Sequence, residues 1–476
     1  MKKAELVFIP APGSGHISSA IEFASLLVER DQRLSITILV MMKFTEKVNT
    51  TKLASSSHPN ISFIELPHAE PPPMELMFKS TDKYITDFID SHRIYVKEAI
   101  VNHVSPNSTK LLGLVLDFFS TSMIDVANEL GVPSYVFIPS GANFLAFVLH
   151  LVHRHDRVGR EFEESEPPSI VPGYNNPVPV NVLPDFACNK EGGYNCLLNH
   201  GRRFKETKGI IVNTFLGSES HVVSSLTSTY HDLPPVYPVG PLINHKINQN
   251  IMKSKNPKQH GEIMKWLDEQ PESSVVFLCF GSGGCFGVPQ LKEIALGLER
   301  SGHRFLWSIR IATEDVFKQI ENIEHKTILP EGFLDRTRGK GFICGWAPQV
   351  EILAHKAVGG FVSHCGWNSI LESLWYGVPI LTWPLYAEQQ LNAFHLVKEL
   401  GLAFELKLDS RIFNDEIVKG DEIAKGVKSL MEEDSEVRKK VRDTSLKSRK
   451  ALITGGSSYA STGHWIDTML ASNYLL

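Results

Sequence analysis

Two stretches of this sequence, one at its start and one just past its middle, share an order of features that strongly limits the fold. Each begins with a short apolar run, at residues 6–9 and 275–280, and continues into a loop of small residues. After each loop, apolar side chains recur every three or four residues, over 17–28 and 291–298, as in an amphipathic helix. A second apolar run follows each helix. Parallel strands are joined by such helical crossovers, so the pattern predicts a parallel sheet in each half of the chain.

The chain has 476 residues, which is enough for two α/β domains of about 200–240 residues each. We therefore predict an α/β protein built from two tandem Rossmann-like, doubly wound domains. The first domain is expected over 1–243 and the second over 261–455. The segment 244–260 is rich in Asn, Lys and Gln and lacks apolar periodicity, so it is the expected linker. A last helix is expected over 456–476, packing back on the first domain.

Composition excludes several classes of protein. With 42% hydrophobic and 21% charged residues, the chain is expected to be globular rather than disordered. Its formal net charge of -5 gives no electrostatic case for a nucleic-acid partner. The 6 cysteines form no CxxC pair, which argues against a zinc site and favours a reducing compartment. No apolar stretch is long enough for a membrane span, and we expect a cytoplasmic monomer.

The first candidate site lies where strand one meets helix one. His16 follows the small-residue loop there, and Asp117 ends another apolar run at 112–116. The carboxyl ends of parallel strands share one edge of a sheet, so both side chains are expected at the same crevice. A His–Asp pair makes a general base, because the carboxylate fixes the imidazole tautomer and stabilises its cation. The alternatives are an N-cap histidine and a helix-capping aspartate.

Familiar glycine motifs do not fit the two loops. A dinucleotide fingerprint needs a third glycine where the chain has Ser18. It also needs an acidic residue after the second strand, and the apolar run that follows the first helix ends without one. Neither loop continues into G-K-[ST], and no G-x-S-x-G elbow supplies a serine nucleophile. The histidines at 150, 153 and 155 lack acidic or Cys partners at metal-ligand spacing. These absences argue against nicotinamide binding, a P-loop, a serine hydrolase and a resident metal.

A second candidate site begins at His364, where another strand passes into a helix. The N–H groups and dipole of that helix favour an anion, and Asn368 and Ser369 add side-chain donors. His364 offers a positive charge or another donor. Glu372, one turn further, can accept bonds from ribose hydroxyls. No D-x-D occurs, so a diphosphate here would be held without a carboxylate-bound metal. The alternative is a capped structural helix.

A long block then becomes recognisable. It runs from Trp346 to Gln389 and contains HCGWNSILES and GVPILTWP. This block resembles the signature box of plant UDP-sugar-dependent small-molecule glycosyltransferases. The resemblance extends over the chain, since VNTF at 212–215, VYPVGPL at 236–242 and FGSGG at 280–284 follow in the expected order. Two departures are visible: many members have Asp at the position of Glu388, and the glycine loop differs in sequence while keeping its serine.

The resemblance implies a GT-B fold, with two Rossmann-like domains facing across a cleft and the nucleotide sugar in the C-terminal one. It implies that Trp346 stacks on uracil and that the backbone of Ala347 bonds it. Further residues would hold the ribose (Gln349, Glu372), the phosphates (Ser282, His364, Asn368, Ser369) and the sugar (Trp367, Glu388, Gln389). His16 would be the base and Asp117 its partner, and Ser140 would reach the sugar or its phosphate.

Sequence and resemblance together predict an inverting enzyme that transfers glucose from UDP-glucose to a hydroxyl of a small lipophilic acceptor, such as a flavonoid or another phenolic secondary metabolite. UDP-glucose is a co-substrate, and no cofactor or metal is expected. Aromatic side chains that could line the acceptor pocket, or simply pack in the core, are Phe118, Phe119, Phe137, Phe144 and Phe147. The alternatives are a non-catalytic binder of a nucleotide sugar or apolar hormone and, more weakly, an NAD(P)-dependent reductase.

Overall fold

The chain forms two compact α/β units. The computed structural model describes residues 4–41, 58–104, 110–243, 257–311, 325–411 and 416–474. Unit 1 comprises Met1–Val180, Asp185–Ile247 and Ser448–Leu476, and unit 2 comprises Asn181–Pro184 and Asn248–Lys447. Two sheets of parallel strands, one in each unit, confirm the predicted fold class.

The sheet of unit 1 has seven strands in the order β3-β2-β1-β4-β5-β6-β7, and every pairing is parallel. Its strands are β1 (Ala4–Ile9), β2 (Leu34–Val40), β3 (Ile61–Glu65), β4 (Lys110–Asp117), β5 (Ser134–Ile138), β6 (Ile210–Val212) and β7 (Val236–Pro238). The central strands are almost wholly buried and consist mostly of Leu, Ile, Val and Phe. Such continuous apolar runs are expected where helices cover both faces of a parallel sheet.

Helices of unit 1 connect these strands. They are α1 (Ser14–Arg30), α2 (Met74–Lys79), α3 (Thr81–Ser91), α4 (Arg93–Ala99), α5 (Met123–Glu129), α6 (Ala142–Val158), α7 (Gly193–Arg203) and α8 (Leu216–Thr229). Short 3-10 or π turns occur at Ile100–Val104, Phe118–Ser120, Val180–Val182, Asp185–Cys188 and Phe204–Glu206. Helix α1 buries one stripe that includes Ile17, Ile21 and Ala24, as its spacing predicts.

Strand order places the first candidate site. Strand β1 pairs with β2 on one side and with β4 on the other, so the chain changes direction across the sheet at β1. Ligands of doubly wound proteins bind at such a switch point, beyond the carboxyl ends of the strands. Ile9 at the end of β1 pairs with Leu116 near the end of β4. The segments that carry His16 and Asp117 therefore leave the sheet side by side.

Unit 2 repeats this plan with six parallel strands in the order β10-β9-β8-β11-β12-β13. Its strands are β8 (Val275–Cys279), β9 (Arg304–Ser308), β10 (Gly341–Cys344), β11 (Val358–Ser363), β12 (Ile380–Thr382) and β13 (Ala403–Glu405). Here β8 lies between β9 and β11, and Cys279 pairs with Ser363 at the carboxyl ends. This second switch point brings the glycine loop after β8 next to the segment that begins at His364.

The helices of unit 2 cover its sheet. They are α9 (Pro257–Asp268), α10 (Val288–Ser301), α11 (His325–Ile328), α12 (Phe333–Arg336), α13 (Gln349–Ala354), α14 (Trp367–Tyr376), α15 (Gln389–Phe394), α16 (Gly420–Leu430) and α17 (Glu436–Leu452). A π turn, His395–Leu400, follows α15. The core between helices and sheet contains Phe305, Trp307 and Trp383, each at most 1% exposed.

The C-terminal helix α18 (Ser457–Tyr474) belongs to unit 1. Trp465 on this helix is fully buried, and its ring lies 5.6 Å from that of Phe23 and 5.3 Å from that of Tyr135. The guanidinium of Arg30 lies 3.7 Å from the ring centre of Tyr459. An aromatic anchor and a cation–π contact therefore fix this helix on the unit.

Three boundaries differ from those expected from the sequence. Helix α9 begins at Pro257, inside the segment 244–260 that was predicted to be a linker, while 244–256 lie outside the described residues. Unit 2 ends at Lys447 rather than at 455, within helix α17. The short segment Asn181–Pro184 groups with unit 2, because Arg411 donates to the carbonyl oxygens of Asn181 and Leu183. Composition alone does not report such long-range contacts.

Candidate active site

His16 and Asp117 meet at the switch point of unit 1. Nδ1 of His16 lies 2.7 Å from Oδ2 of Asp117. The Asp117 side chain is fully buried, whereas that of His16 is 29% exposed. An ionised carboxylate only accepts, so Nδ1 of a neutral His16 carries the proton and Nε2 carries the lone pair. The pair has the geometry of a general base oriented by a carboxylate.

Of the two alternatives for this pair, an N-cap histidine and a capping aspartate, only the second is seen. Helix α1 has Gly13 as its N-cap, so His16 lies within the first turn and is not the capping residue. Asp117 does cap, since its Oδ1 accepts from the backbone N–H of Phe119 at 3.1 Å. One carboxylate oxygen thus fixes the turn after β4 while the other holds the imidazole. The cap makes the position of Asp117 rigid, which is what orienting His16 requires.

Aromatic rings surround this base. The rings of Phe118 and Phe119 each lie 5.9 Å from the His16 ring, and 4.2 Å from one another. Phe144 of helix α6 packs against Phe118 at 5.2 Å. Two of the five predicted acceptor-pocket residues therefore lie beside His16, and a third, Phe144, packs against one of them. Their apolar surfaces lower the local polarity, which suits a small lipophilic ligand.

The other two predicted pocket residues lie in packed cores. Phe137 of β5 stacks on Phe23 of α1 at 5.6 Å, on the side that receives the C-terminal helix. Phe147 is fully buried against Phe162 and Phe186. These contacts favour core packing, the alternative given for both rings, because a strand alternates its faces and a helix rotates by about 100° per residue. Sequence proximity to the site did not determine which way each ring points.

Ser140 is buried between β5 and helix α6, which starts at Ala142. The N-terminus of that helix already has an anionic partner. Glu219 is 1% exposed, and its carboxylate accepts from the N–H groups of Ala142 and Asn143 at 2.8 and 2.9 Å. A helix N-terminus filled in this way is not available to a phosphate. Ser140 itself stays a predicted contact of the sugar or its phosphate.

In unit 2, the predicted nucleoside residues cluster after β10. Trp346 is half-buried, as a ring that stacks on a ligand needs to be, and Ala347 is buried behind it. Gln349 starts helix α13 and donates through Nε2 to Ser369 Oγ at 2.8 Å and to Glu372 Oε2 at 2.6 Å. The amide thus ties the start of α13 to helix α14. Ser369 was predicted to hold phosphate, and in this structure it accepts from Gln349.

Glu372 is the most perturbed acid of the described site. Burial raises the pKa of its carboxyl to about 7, although the hydrogen bond from Gln349 opposes the rise. A carboxyl with such a pKa changes its charge in the physiological range. Its ionised form is the stronger acceptor for hydroxyl groups. Ribose binding at Glu372 is therefore expected to depend on pH near neutrality.

His364 lies directly after β11 and contacts two glycines. A Cβ atom on Gly281 or on Gly366 would lie only 2.5 Å from its Nε2, and Gly281 has a φ of +73°. Only glycine permits this close approach. Burial lowers the pKa of His364 to about 4, and the charge of Arg310 adds to the decrease. The sequence left open a positive charge on His364. At neutral pH this imidazole is uncharged, so it offers a hydrogen bond instead.

Helix α14 begins at Trp367 with Gly366 as its N-cap. Asn368 is half-buried in the first turn, and Trp367 is 4% exposed. Ser282, in the loop after β8, is exposed. The register of β8 and β11 brings this loop and the helix N-terminus to the same edge of the sheet. The predicted phosphate residues are therefore together, as an anion site at a switch point requires.

The predicted sugar residues Glu388 and Gln389 lie at the start of helix α15. Glu388 is half-buried and occupies the N-cap position. Gln389 is 3% exposed, and its Oε1 accepts from the backbone N–H groups of Leu385 and Tyr386 at 2.9 and 3.1 Å. The sequence suggested that the amide offers both an acceptor and a donor to the sugar. The oxygen already caps a backbone turn, and the side chain also donates to the Tyr386 phenol, so the second N–H of the NH₂ group is the part that can bind a sugar hydroxyl.

Sequence reasoning missed Arg310, which follows strand β9. Its Nη1 donates to the carbonyl oxygens of Gly281 at 2.8 Å and Ser282 at 2.5 Å. A cation just beyond the carboxyl end of a strand was the available signal. Reasoning also missed Tyr386, whose hydroxyl oxygen would lie 2.8 Å from a Cβ on Gly283. Both residues shape the glycine loop, so its conformation depends on side chains that the loop motif does not contain.

Across the ranges given above, no group of three or more His, Cys, Asp or Glu is placed to hold a metal ion. Within the same ranges, no helix has the length and apolar character needed to cross a bilayer.

Comparison with known proteins identifies the family of the chain. A family model described as "UDP-glucoronosyl and UDP-glucosyl transferase" matches residues 213–435. The chain is 50% identical to UDP-glycosyltransferase 71K1 of Malus domestica, over 99% of this chain and 100% of that protein. It is also 50% identical to UDP-glucose flavonoid 3-O-glucosyltransferase 6 of Fragaria ananassa, with the same coverage.

A solved structure agrees as well. Medicago truncatula UGT71G1 complexed with UDP-glucose superposes with a TM-score of 0.89 at 49% identity, over 98% of each chain. That likeness, together with the two parallel sheets, confirms the GT-B fold class. With identity near one half over the whole length, the chain belongs to the UDP-glycosyltransferase family and is a UDP-glycosyltransferase.

Proposed function

We propose that this enzyme transfers glucose from UDP-glucose to a hydroxyl group of a small lipophilic acceptor, with inversion at the anomeric carbon. The observation that carries the proposal is the 2.7 Å contact between His16 Nδ1 and Asp117 Oδ2. It makes His16 a base whose Nε2 accepts a proton, and a hydroxyl nucleophile needs such a base. A non-catalytic binder has no use for an oriented and partly exposed imidazole.

The reaction proceeds by direct displacement. His16 Nε2 takes the proton of the acceptor hydroxyl as that oxygen attacks the anomeric carbon. The bond from the anomeric carbon to the diphosphate oxygen breaks, and UDP leaves from the opposite face. An α-linked donor therefore gives a β-glucoside. Asp117 stabilises the imidazolium formed at His16, and fixed dipoles at the start of helix α14 stabilise the negative charge of the departing UDP.

The acceptor is proposed to be phenolic. Phe118 and Phe119 lie beside His16, and Phe144 packs against Phe118. These rings favour an aromatic or apolar ligand. A relative of 50% identity is named as a flavonoid 3-O-glucosyltransferase, which makes flavonoids the first class to test. A phenol also ionises more readily than an alkyl alcohol, so a single histidine can activate it.

Glucose is proposed as the sugar because of Glu388 and Gln389. A carboxylate and an amide NH₂ group at the start of helix α15 offer an acceptor and a donor at fixed positions. They can pair with neighbouring equatorial hydroxyls. Inverting one hydroxyl, as in galactose, leaves a buried group without a partner, which costs about 1–3 kcal/mol.

The test incubates the purified chain with UDP-glucose and a panel of flavonoids, simple phenols and aliphatic alcohols. Mass spectrometry detects addition of a hexose, and the anomeric proton coupling in NMR gives the stereochemistry. We expect β-glucosides of phenols, and loss of turnover in His16→Ala with UDP affinity nearly unchanged. An α-linked product, or full turnover of a weakly acidic phenol by His16→Ala, would contradict the mechanism.

A further inference from the structure

Arg310 contacts the glycine loop of unit 2 in a way that the motifs do not reveal. It lies two residues beyond the end of β9, and its Nη1 donates to two successive carbonyl oxygens, those of Gly281 and Ser282. Each bond is short, and a guanidinium is charged at every physiological pH. One side chain therefore fixes the orientation of two adjacent peptide groups.

This orientation has a consequence for the opposite side of the loop. A trans peptide group points its N–H away from its C=O. When the carbonyls of Gly281 and Ser282 point at Arg310, the N–H groups of Ser282 and Gly283 point away from it. Successive N–H groups on one side of a turn attract anions. That of Gly283 interacts with the Tyr386 phenol, so the N–H of Ser282 is the one that the turn directs toward a ligand. The positive φ of Gly281, +73°, is part of the same turn.

The surroundings of the loop place this feature at the predicted diphosphate site. Gly281 approaches His364 so closely that a Cβ would lie 2.5 Å from Nε2, and His364 leads into helix α14. The charge of Arg310 reaches this imidazole, since it contributes to the low pKa of His364. His364 is itself neutral at pH 7, so it brings no positive charge to a diphosphate. Arg310 supplies a permanent one beside the loop.

We propose that Arg310 is a positioning residue for the diphosphate of the donor: it holds the loop at 281–284 so that Ser282 faces the phosphates, and it adds a fixed positive charge behind that loop. The inference rests on the proposed function, because it assumes that unit 2 binds UDP. This role of Arg310 differs from a merely structural one, because the contribution of Arg310 to binding appears only when the ligand carries phosphates.

The experiment compares UDP with uridine by titration calorimetry, using the full chain. Three variants separate the contributions: Arg310→Lys keeps the charge, Arg310→Gln keeps donors without the charge, and Arg310→Met removes both. We expect Arg310→Met to weaken UDP binding by roughly 10- to 100-fold, as for the loss of charge-assisted bonds, and uridine binding by less than about 2-fold. Arg310→Lys is expected within about 5-fold of the native protein for UDP, and Arg310→Gln between the two.

A matched control is Arg336→Met. The guanidinium of Arg336 also donates to a backbone carbonyl of unit 2, that of Glu331 at 2.7 Å, and pairs with Glu299. Its loss is expected to leave both affinities unchanged. If Arg310→Met fails to fold, Arg310→Gln carries the test, with uridine affinity reporting an intact nucleoside site.

Three outcomes would overturn the inference: equal loss of UDP and uridine affinity in the Arg310 variants, no loss of either, or a loss in Arg336→Met as large as in Arg310→Met. These results are distinct from failure of the proposed function. In that case the native protein itself would bind UDP no better than uridine, whatever residue stands at position 310.

Discussion

Replacing Asp117 by Asn tests the proposed base more sharply than deleting it. The side chains are nearly the same size, and the Asn oxygen can still accept from the N–H of Phe119, as Oδ1 of Asp117 does at 3.1 Å. The fold is therefore expected to survive. The atom facing His16 Nδ1, however, changes from an acceptor to an NH₂ donor. His16 must then keep its proton on Nε2, and Nε2 can no longer take one from an acceptor hydroxyl.

The size of the effect follows from the geometry. The carboxylate lies within hydrogen-bond distance of the ring, at 2.7 Å, and is fully buried. A unit charge about 4 Å from the imidazolium centre contributes about 4 kcal/mol at an effective dielectric constant of about 20. The 29% exposure of His16 allows solvent to screen part of this. We therefore expect kcat to fall by roughly 10²- to 10³-fold, with the wrong tautomer adding to the loss of charge.

The assay measures kcat for a weakly acidic phenol with saturating UDP-glucose, alongside UDP affinity and melting temperature. Asp117→Asn is expected to retain native UDP affinity and to be at least as inactive as Asp117→Ala. The Ala variant also loses the cap, which costs about 0.5–2 kcal/mol of stability. An acceptor already ionised at the assay pH needs no base and should recover most of its rate. If Asp117→Asn keeps more than a tenth of native kcat with the weak phenol, the reasoning is wrong.

Further predictions concern Glu372, the diphosphate, the donor sugar and the C-terminal helix. Because burial places the pKa of Glu372 at about 7, UDP affinity should rise by about 3- to 10-fold from pH 6 to pH 8, and Glu372→Gln should flatten this profile in calorimetry. The stability of the fold should change in the opposite direction. Because the pKa of Glu372 is raised in the folded state, its contribution to stability is present below about pH 4.5 and is lost as pH rises to about 7. Thermal melts of the native protein and of Glu372→Gln across this range would show the difference. Activity should survive excess EDTA, since Arg310 and the start of helix α14 supply positive charge at the diphosphate; collapse restored by Mg²⁺ would contradict this. UDP-glucose should exceed UDP-galactose by at least about tenfold in kcat/KM in direct competition, and equal use would show that Glu388 and Gln389 do not read the sugar. Trp465→Ala should lower the free energy of unfolding by about 3–5 kcal/mol in urea titrations, because this ring of helix α18 is fully buried and packs against Phe23. A change below about 1 kcal/mol would mean that the ring does not anchor the helix.

Periodicity and small-residue loops by themselves determined the doubly wound fold. The apolar run 6–9, the helical spacing from Ile17 to Val28 and the following strand are local patterns, and local patterns survive the loss of tertiary information. They also placed His16 and Asp117 at strand ends, because the carboxyl ends of parallel strands share an edge. The resemblance of the block from Trp346 to Gln389 to a known family was what indicated a nucleotide-sugar enzyme.

Only the tertiary structure decided the charge and direction of individual groups. Burial makes His364 neutral and brings Glu372 to a pKa near 7, and no local pattern encodes burial. The direction of Phe137 toward Phe23 depends on which face of β5 the C-terminal helix covers. The bonds of Arg310 to the loop at 281–284 join residues almost thirty positions apart, through the pairing of β8 with β9. Such contacts arise from the assembled sheet, so they belong to the fold rather than to any motif.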